Sequence, residues 1–483
     1  MPIPERTQTL LVGVSRRGAE RLRAGHVWVY RSDVVEAGHA RPGSIVLVRE
    51  TAGAQGKVGS ARNVRATQTL PVRSVRPTRV LGTAFYSSAS QIALRMISTK
   101  PVEDVHQLVR ERIRAAIAYR ETYVQETNAY RVIFSEGDFL PGLIVDRYND
   151  VLSLQVLTQA MDDPAMRETF VDELELALQP RTIVERVDAR VRSLEQLEER
   201  ESGVIWVRDE HVGAEPALSD RPEGGSRTGT PARPAALRAT TGEQNSPGPF
   251  GSAQGRLVRA PVPTCSDDAS ASCKTEFQMN GVRFLFDALG GQKTGAFLDQ
   301  RENCAAAAQY ARGEALDVFC YQGGFALHLA RVCDKVTGVD SSRPALEAAE
   351  RNASLNGREL EWIEANAFDL LRDYSDAGRK YDCIVLDPPA FAKSKGDLPT
   401  ALRGYKELNL RALKMLRPGG ILVTCSCSYH VSAADLVATV QSSALDSHRI
   451  LRILENRGAA KDHPSVLGIP ETAYLKCLVI DVS

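Results

Sequence analysis

Two short runs toward the C-terminus hold the residue types that could do covalent chemistry. Thr424-Cys425-Ser426-Cys427-Ser428 follows the apolar run Ile421-Leu422-Val423, and Asp387-Pro388-Pro389-Ala390-Phe391 follows the apolar run 381–386. A thiolate is a nucleophile. Added to C6 of a cytosine ring, it makes C5 enamine-like, so that C5 can attack an electrophilic methyl group. A base then takes the C5 proton and the thiolate leaves. Such a thiol must stand at the mouth of a cofactor pocket. Two other readings of the cysteine pair stay open. Small residues often end a buried strand, and Cys425, Cys427 and His430 could begin a metal set, although no further Cys/His pair is spaced to complete one. In the second run, two prolines after an acid fix an extended loop with few N–H groups. The Asp387 carboxylate can hydrogen-bond the edge of a planar base, and Phe391 can stack on it. An ordinary strand-ending turn is the alternative.

A cofactor would be held upstream. Asp317 lies in the apolar strand 315–320, and Phe319, Tyr321, Gly323 and Gly324 lead from it into a helix. Glycines there let the backbone approach a ligand at a helix N-terminus. Asp340, followed by Ser341, ends the next strand, where an acid accepts hydrogen bonds from both hydroxyls of a ribose. A dinucleotide is the competing ligand, but the GxGxxG spacing for pyrophosphate is absent. Asp317 suits a cofactor with a positive ammonium, as S-adenosylmethionine has, better than one with phosphates. Residues 290–301 are polar and Gly-rich and superficially similar to a phosphate loop, yet GxxxxGK(S/T) is not matched. They read as a lid over the cofactor, with Lys293, Thr294 and Phe297 as contacts, that runs on into a helix.

These residues form a site only if the chain between them alternates strand and helix. From residue 276 it does: strands at 315–320, 335–339, 362–365, 381–386 and 421–424 are separated by helices at 325–332, 344–355 and 402–416, and strand-like runs follow at 449–454 and 474–482. That pattern means a doubly wound parallel sheet, with ligands outside the carboxyl ends of its strands. Upstream, residues 8–100 read as short strands and turns with one helix at 16–24, a small β barrel. The segment 51–80 looks like a long hairpin excursion. Residues 101–206 read as a small α/β unit with helices at 105–123 and 162–178 and strands at 130–134, 143–146, 152–157 and 182–186. Residues 207–275 are rich in Gly, Pro, Ser, Ala, Thr and Arg, with almost no large apolar residue between Glu210 and Leu257. They cannot bury enough surface to offset their ordering entropy and read as a disordered insertion containing Cys265 and Cys273. The domain plan is therefore 1–100, 101–206, a linker 207–275, and 276–483.

The bulk numbers agree with this plan. A chain of 483 residues, 43% hydrophobic and 25% charged, is ordinary globular material for about three domains. It has no run of 18 apolar residues and no leader-like start, so a soluble, cytoplasmic protein is expected. Nine scattered cysteines without a CxxC fit reduced thiols, not a disulfide framework. Formal net charge is zero, yet residues 1–100 carry 16 Lys and Arg against 5 Asp and Glu, and residues 101–206 carry 12 against 21. A basic module on a neutral enzyme is the footprint of a polyanion reader; a solvated basic surface is the plainer alternative.

Together, Gly-Gln-Lys-Thr-Gly at 291–295, Phe297-Leu298-Asp299-Gln300-Arg301, Asp317-x-Phe-x-Tyr-x-Gly-Gly-Phe325, Asp387-Pro388-Pro389-x-Phe391 and Thr424-Cys-Ser-Cys-Ser428 resemble the 23S ribosomal RNA cytosine-C5 methyltransferase family. Gly25-His26-Val27-Trp28-Val29-Tyr30 looks like its PUA signature. The runs 86–95 and 136–146 look like the family's domain junction and central domain. The resemblance covers nearly the whole chain except 51–80 and 207–275. It implies a PUA domain, a small central α/β domain and a class I methyltransferase domain, with S-adenosylmethionine as cofactor, ribosomal RNA as substrate and a homodimer as assembly. By position it implies Cys427 as nucleophile, Cys425 as the fallback and Asp387 as the grip on the cytosine. Two departures are visible. The fourth-strand loop lacks the Pro-Cys that many RNA cytosine methyltransferases of other families carry, as this family generally does. Asn366-Ala367 stands where Asp-Ala often contacts adenine; Asn can still bond the adenine amino group through its side-chain oxygen. Two other functions compete. One is an amino-group methyltransferase on a nucleobase, for which Asp-Pro-Pro would suffice. The other is a non-catalytic RNA-binding factor, against which the intact cofactor motifs argue.

Overall fold

Near the N-terminus, apolar residues alternate along short strands and turn inward. The computed structural model describes residues 10–51, 79–208, 255–262, 273–290, 295–392 and 394–483. Its first sheet is built from β1 (Leu11–Val14), β2 (Trp28–Tyr30), β3 (Val34–Glu36), β4 (Ile45–Glu50), β5 (Val80–Tyr86) and β6 (Ile92–Ser98), in the order β2-β6-β5-β4-β1-β3. Val12, Val14, Val29, Val46, Val48, Ala84 and Leu94 form its core. Helix α1 (Arg16–Arg23) closes one side. Ser15 caps it by accepting the Gly18 N–H at 3.1 Å, and Arg21 and Arg23 complement its C-terminal end. β4 and β5 pair antiparallel, so the excursion expected at 51–80 does join two hydrogen-bonded strands; residues 52–78 lie outside the described residues.

The second sheet is β7 (Ala129–Phe134), β8 (Leu143–Tyr148), β9 (Val151–Val156), β10 (Thr182–Glu185), β11 (Gly203–Arg208) and β12 (Gly255–Val262), in the order β12-β11-β10-β9-β8-β7. Helix α2 (Val105–Tyr123), capped by Asp104, and α3 (Pro164–Leu178), capped by Asp163 ahead of a proline, sink Val109, Ile113, Phe170 and Leu174 into its core. A short α4 (Ala189–Glu195) precedes β11. β12 corrects the reading of 207–275 as wholly unstructured. Apolar residues resume at Leu257, and the backbone of 255–262 pairs antiparallel with β11. Cys273 is likewise not in a loose segment but fully buried, packed with Phe277 and Phe284. Residues 209–254 and 263–272, with Cys265, lie outside the described residues.

A hairpin, β13 (Lys274–Met279) and β14 (Val282–Asp287), leads into α5 (Arg301–Tyr310) and the third sheet. That sheet contains β15 (Glu314–Val318), β16 (Lys335–Asp340), β17 (Glu361–Glu364), β18 (Tyr381–Leu386), β19 (Leu416–Ser426), β20 (Leu451–Arg457) and β21 (Lys476–Val482), ordered β17-β16-β15-β18-β19-β21-β20. Helices α6 (Gly324–Leu329), α7 (Arg343–Leu355), α8 (Ala367–Asp376), α9 (Leu398–Met415) and α10 (Ala433–Ser447) connect the strands. The sheet is not wholly parallel. β21 runs antiparallel to both β19 and β20. No α-helix crosses between β20 and β21, so the chain returns in the opposite direction. Strand order reverses between β15 and β18, which opens a crevice at their carboxyl ends.

Candidate active site

After Val318 the chain turns sharply. Phe319 and Tyr321 take φ values of 68° and 49°, and Gly323 takes 84°. Strand β16 holds this turn. The Phe319 and Cys320 N–H groups donate to the Val339 carbonyl at 2.8 and 3.0 Å, and the Tyr321 N–H donates to Asp340 Oδ2 at 2.9 Å. A Cβ on Gly323 would meet the Trp362 ring at 3.1 Å, so dihedral and space both require glycine. Gly324 then opens α6. Asp317 is fully buried beneath the turn. Its Oδ2 accepts the Ala326 N–H at 2.8 Å, and its Oδ1 has no hydrogen-bond partner among the described residues. Burial, with the Asp387 and Asp340 carboxylates adding to it, pushes its pKa up to about 8.

Asp340 Oδ1 accepts the Ser342 N–H at 2.9 Å, with Ser341 between them. Asp317, Asp340 and Asp387 therefore stand at or just past the carboxyl ends of three adjacent strands, β15, β16 and β18. Asn366, after β17, caps α8. Its Oδ1 accepts the Phe368 and Asp369 N–H groups at 2.9 and 3.4 Å, just ahead of Ala367. The oxygen expected to meet an adenine amino group is thus engaged by the helix, because helix N–H groups need an acceptor; Nδ2 is the donor the side chain has to offer. Phe297, 42% exposed, meets Tyr321 edge-on at 5.0 Å. Lys293 and Thr294 lie outside the described residues.

Asp387 is gripped from α5's entrance. Gln300 Nε2 donates to its Oδ1 at 2.9 Å. Gln300 Oε1 accepts from Asn303 at 2.7 Å, and Asn303 Oδ1 accepts from Arg457 at 2.9 Å, which fixes the direction of the Gln300 amide. Burial first, then Asp299, raise the Asp387 pKa to about 7, opposed by the Gln300 bond. Phe391, expected to stack on a base, instead packs on Tyr405 and Phe368 at centroid distances of 4.9 and 5.9 Å. The loop turns back over α9 there, and the Ala392 N–H donates to Ser428 Oγ at 3.3 Å.

The two cysteines of the run are separated by the end of β19 at Ser426. Cys425 is fully buried within β19, directly opposite Cys477 of β21. Cys427 lies just past the strand and half-buried, its Sγ 3.8 Å from the Pro388 carbonyl oxygen. Of the eight described cysteines, only Cys427 and Cys333 are not buried, and Cys333 sits before β16 at the opposite, amino end of the strands. Among the described residues, no group of three His, Cys, Asp or Glu side chains could hold a metal ion.

Tyr405 and Lys476 fasten the Cys427 loop. Ser426 Oγ donates to the Tyr405 hydroxyl at 2.9 Å, and that hydroxyl lies 3.2 Å from Ser428 Oγ. The Lys476 ammonium, 8% exposed, donates to the carbonyls of Ser428 and Tyr474, each at 2.7 Å. Burial lowers its pKa, while Cys427 and Asp435 act in the opposite sense. Sequence reasoning assigned no role to Gln300, Tyr405 or Lys476. The available signal for Lys476 was a lone lysine opening an apolar strand, and its place beside β19 depends on the antiparallel return.

Residues 231–478 match a family model described as S-adenosylmethionine-dependent methyltransferase, and residues 12–55 match a PUA-like domain. Ribosomal RNA large subunit methyltransferase I of Photobacterium profundum is 33% identical over 400 residues, 81% of this chain and 84% of the relative. Its namesake in Tolumonas auensis is 35% identical over 403 residues, 82% and 86% respectively. A solved structure described as a SAM-dependent methyltransferase from Streptococcus mutans superposes with a TM-score of 0.67 at 15% identity, covering 98% of this chain and 100% of that one. A second, described as a methyltransferase complexed with SAH, gives 0.68 at 14% with the same coverage. At those identities the structures show the fold. The chain belongs to the S-adenosylmethionine-dependent methyltransferase family that includes ribosomal RNA large subunit methyltransferase I.

Proposed function

We propose that this enzyme methylates C5 of a cytosine in large-subunit ribosomal RNA, using Cys427 as a covalent nucleophile. The single observation that carries the reading is the half-buried Cys427 thiol 3.8 Å from the Pro388 carbonyl, beside Asp387, while Cys425 is sealed in the core.

The residues present fit S-adenosylmethionine. Asp317 offers a buried acceptor oxygen without a partner among the described residues, which suits an ammonium. Asp340 would take the ribose hydroxyls, with Ser341 beside it, and Phe319, Tyr321, Gly323 and Gly324 would line the approach. Phe297 covers that turn, and Asn366 Nδ2 and Ala367 would meet the adenine. When bound, the cofactor supplies an electrophilic methyl group and departs as a neutral thioether.

The protein's own side chains do the rest. Asp387 hydrogen-bonds the cytosine edge; with a pKa near 7, its protonated form donates to N3 and draws electron density from C6. The Cys427 thiolate adds to C6, forming a carbon–sulfur bond and a nucleophilic C5. After methyl transfer, loss of the C5 proton to a base expels the thiolate and restores the ring. Lys476, bonded to the carbonyl of the next residue, is placed to favour the thiolate over the thiol. The test is RNA methylation by Cys427→Ala. Loss of activity is expected; full retention would point to the competing amino-group reading.

The proposed domain plan assigns 1–100 to RNA binding, 101–206 with β12 to the central unit and 276–483 to catalysis. A ribosomal RNA substrate supports a cytoplasmic location. Among the described residues, no helix is long and apolar enough to cross a membrane. For the homodimer, the exposed apolar residues Leu445, Ile450, Ile453 and Leu454 on and around the edge strand β20 supply a surface. Sedimentation of Ile453→Asp should then show a shift to monomer.

A further inference from the structure

Beyond Cys427 the chain lines an open groove of about 670 Å³, of whose lining residues only Lys476 has a part in the chemistry above. One wall is Tyr429 to Ala433, the loop that continues from the cysteine. The other includes Pro470, Ala473 and Leu475, and Lys395, Asn456, Arg457 and Lys476 complete it. The lining holds Lys395, Arg457, Lys476 and His430 and no Asp or Glu. Tyr429 is 49% exposed, with His430 edge-on at 5.2 Å.

The groove also adjoins the basic N-terminal module. Gly468 packs so close to the Gly25 carbonyl that a Cβ there would meet it at 2.9 Å. Glu471 Oε1 lies 3.4 Å from His26 Nε2. Tyr30 of β2 is near enough to Tyr429 to add to the upward shift that burial and Glu471 give its hydroxyl. A polyanion resting on the first sheet would therefore reach Cys427 across Tyr429.

We propose that this groove is the subsite for the ribonucleotide adjoining the target cytosine, with its base stacked on Tyr429 and its phosphate held by Lys395. This rests on the RNA reading above. An exposed aromatic ring beside an exposed lysine is the arrangement that binds single-stranded nucleic acid without demanding one base; Glu471 engages the Tyr429 hydroxyl and leaves the ring face to the base. Arg457 is already engaged by Asn303, so Lys395 is the cation with latitude to follow the strand.

The test uses the full-length enzyme, unmodified large-subunit ribosomal RNA and two variants, Tyr429→Ala and Lys395→Ala. Tyr429→Ala should raise the KM for RNA about tenfold with an unchanged salt dependence, because stacking carries no counterion. Lys395→Ala should raise KM and lower the slope of log K against log salt by about 0.7, the loss of one phosphate contact on a single strand. Affinity for S-adenosylmethionine and the rate of Cys427 alkylation should stay at wild-type values in both, which shows that the fold is intact. Tyr429→Phe should restore the wild-type KM. Wild-type KM and salt slope in both alanine variants would overturn the proposal. If the wild-type enzyme itself forms no Cys427 adduct with 5-fluorocytidine RNA, the covalent reading fails instead, and the two failures are distinct.

Discussion

Cys425 and Cys427 differ by two residues and by everything that governs a thiol. Cys425→Ala removes one buried sulfur from the strand and should cost about 1 kcal/mol of stability while methylation continues. Cys427→Ala should leave stability within about 0.5 kcal/mol and abolish turnover. Melting curves beside methyl-transfer assays check the pair. Lys476→Met removes the cation bonded to the adjoining carbonyl, so the pH midpoint for Cys427 alkylation should rise by about one unit. Lys476→Arg should recover much of that shift, and an unmoved midpoint would reduce Lys476 to a strut. Asp317 gives a pH signature. Its folded pKa of about 8 exceeds the ordinary carboxyl value of 3.8, so the folded chain keeps a proton that the unfolded chain loses. The stability tied to it is full below pH 4 and declines as pH rises toward 8. Asp317→Asn should therefore match wild type at pH 4 and exceed it by about 1–3 kcal/mol at pH 8, while losing cofactor affinity. Urea titrations at the two pH values read this directly.

Among the elements, the turn between β15 and α6 is the least forgiving. Gly323→Ala combines a φ of 84° with a Cβ 3.1 Å from Trp362, so a loss of about 1–3 kcal/mol and weaker cofactor binding are expected by calorimetry. This turn was legible in sequence because strand, glycine pair and acid occur in order. So were β15, β16 and β18, whose apolar runs end at chemistry-bearing residues. Other elements were not. Helix α10 reads Ala-Ala-Asp-Leu-Val-Ala-Thr-Val-Gln-Ser-Ser, where Val, Thr and Ser lower the helix propensity; it is fixed by the Ser432–Asp435 capping box and by packing on α9. The direction of β21 depends on a long connection without an α-helix, which leaves no periodic signal. The hairpin β13–β14 carries one, Asn280-Gly281 between alternating aromatics, but its partners lie in other parts of the chain. For the site, sequence named the cysteine run and the acids, but it could not rank Cys427 over Cys425 by exposure, nor see that Asn366 spends its oxygen on a helix cap.

At the scale of the whole molecule, Asp462 ties the central unit to the catalytic one. It is fully buried, bonded to Arg301 at 3.0 Å and to the Arg131 N–H at 2.9 Å, and its carbonyl takes Arg120 at 2.7 Å. Against the cost of burial, His463 and Arg301 hold its carboxyl far below the usual range. Arg301 follows Asp299, which binds Tyr474, and Gln300, which binds Asp387. Three consecutive residues thus join the domain interface, the approach to the Lys476 strand and Asp387. Asp462→Ala leaves the buried Arg301 without its buried carboxylate and should cost about 3–5 kcal/mol in chemical denaturation. The same molecule carries its charge unevenly: a basic first domain abuts the groove beside the thiol, which accounts for an RNA substrate on a chain of zero net charge. The most direct measurement is mass spectrometry of the enzyme after reaction with S-adenosylmethionine and large-subunit ribosomal RNA containing 5-fluorocytidine. Fluorine at C5 cannot leave as a proton, so the expected result is a methylated nucleotide trapped on the peptide that contains Cys427. No adduct, together with methyl groups found on cytosine or adenine amino nitrogens, would contradict it.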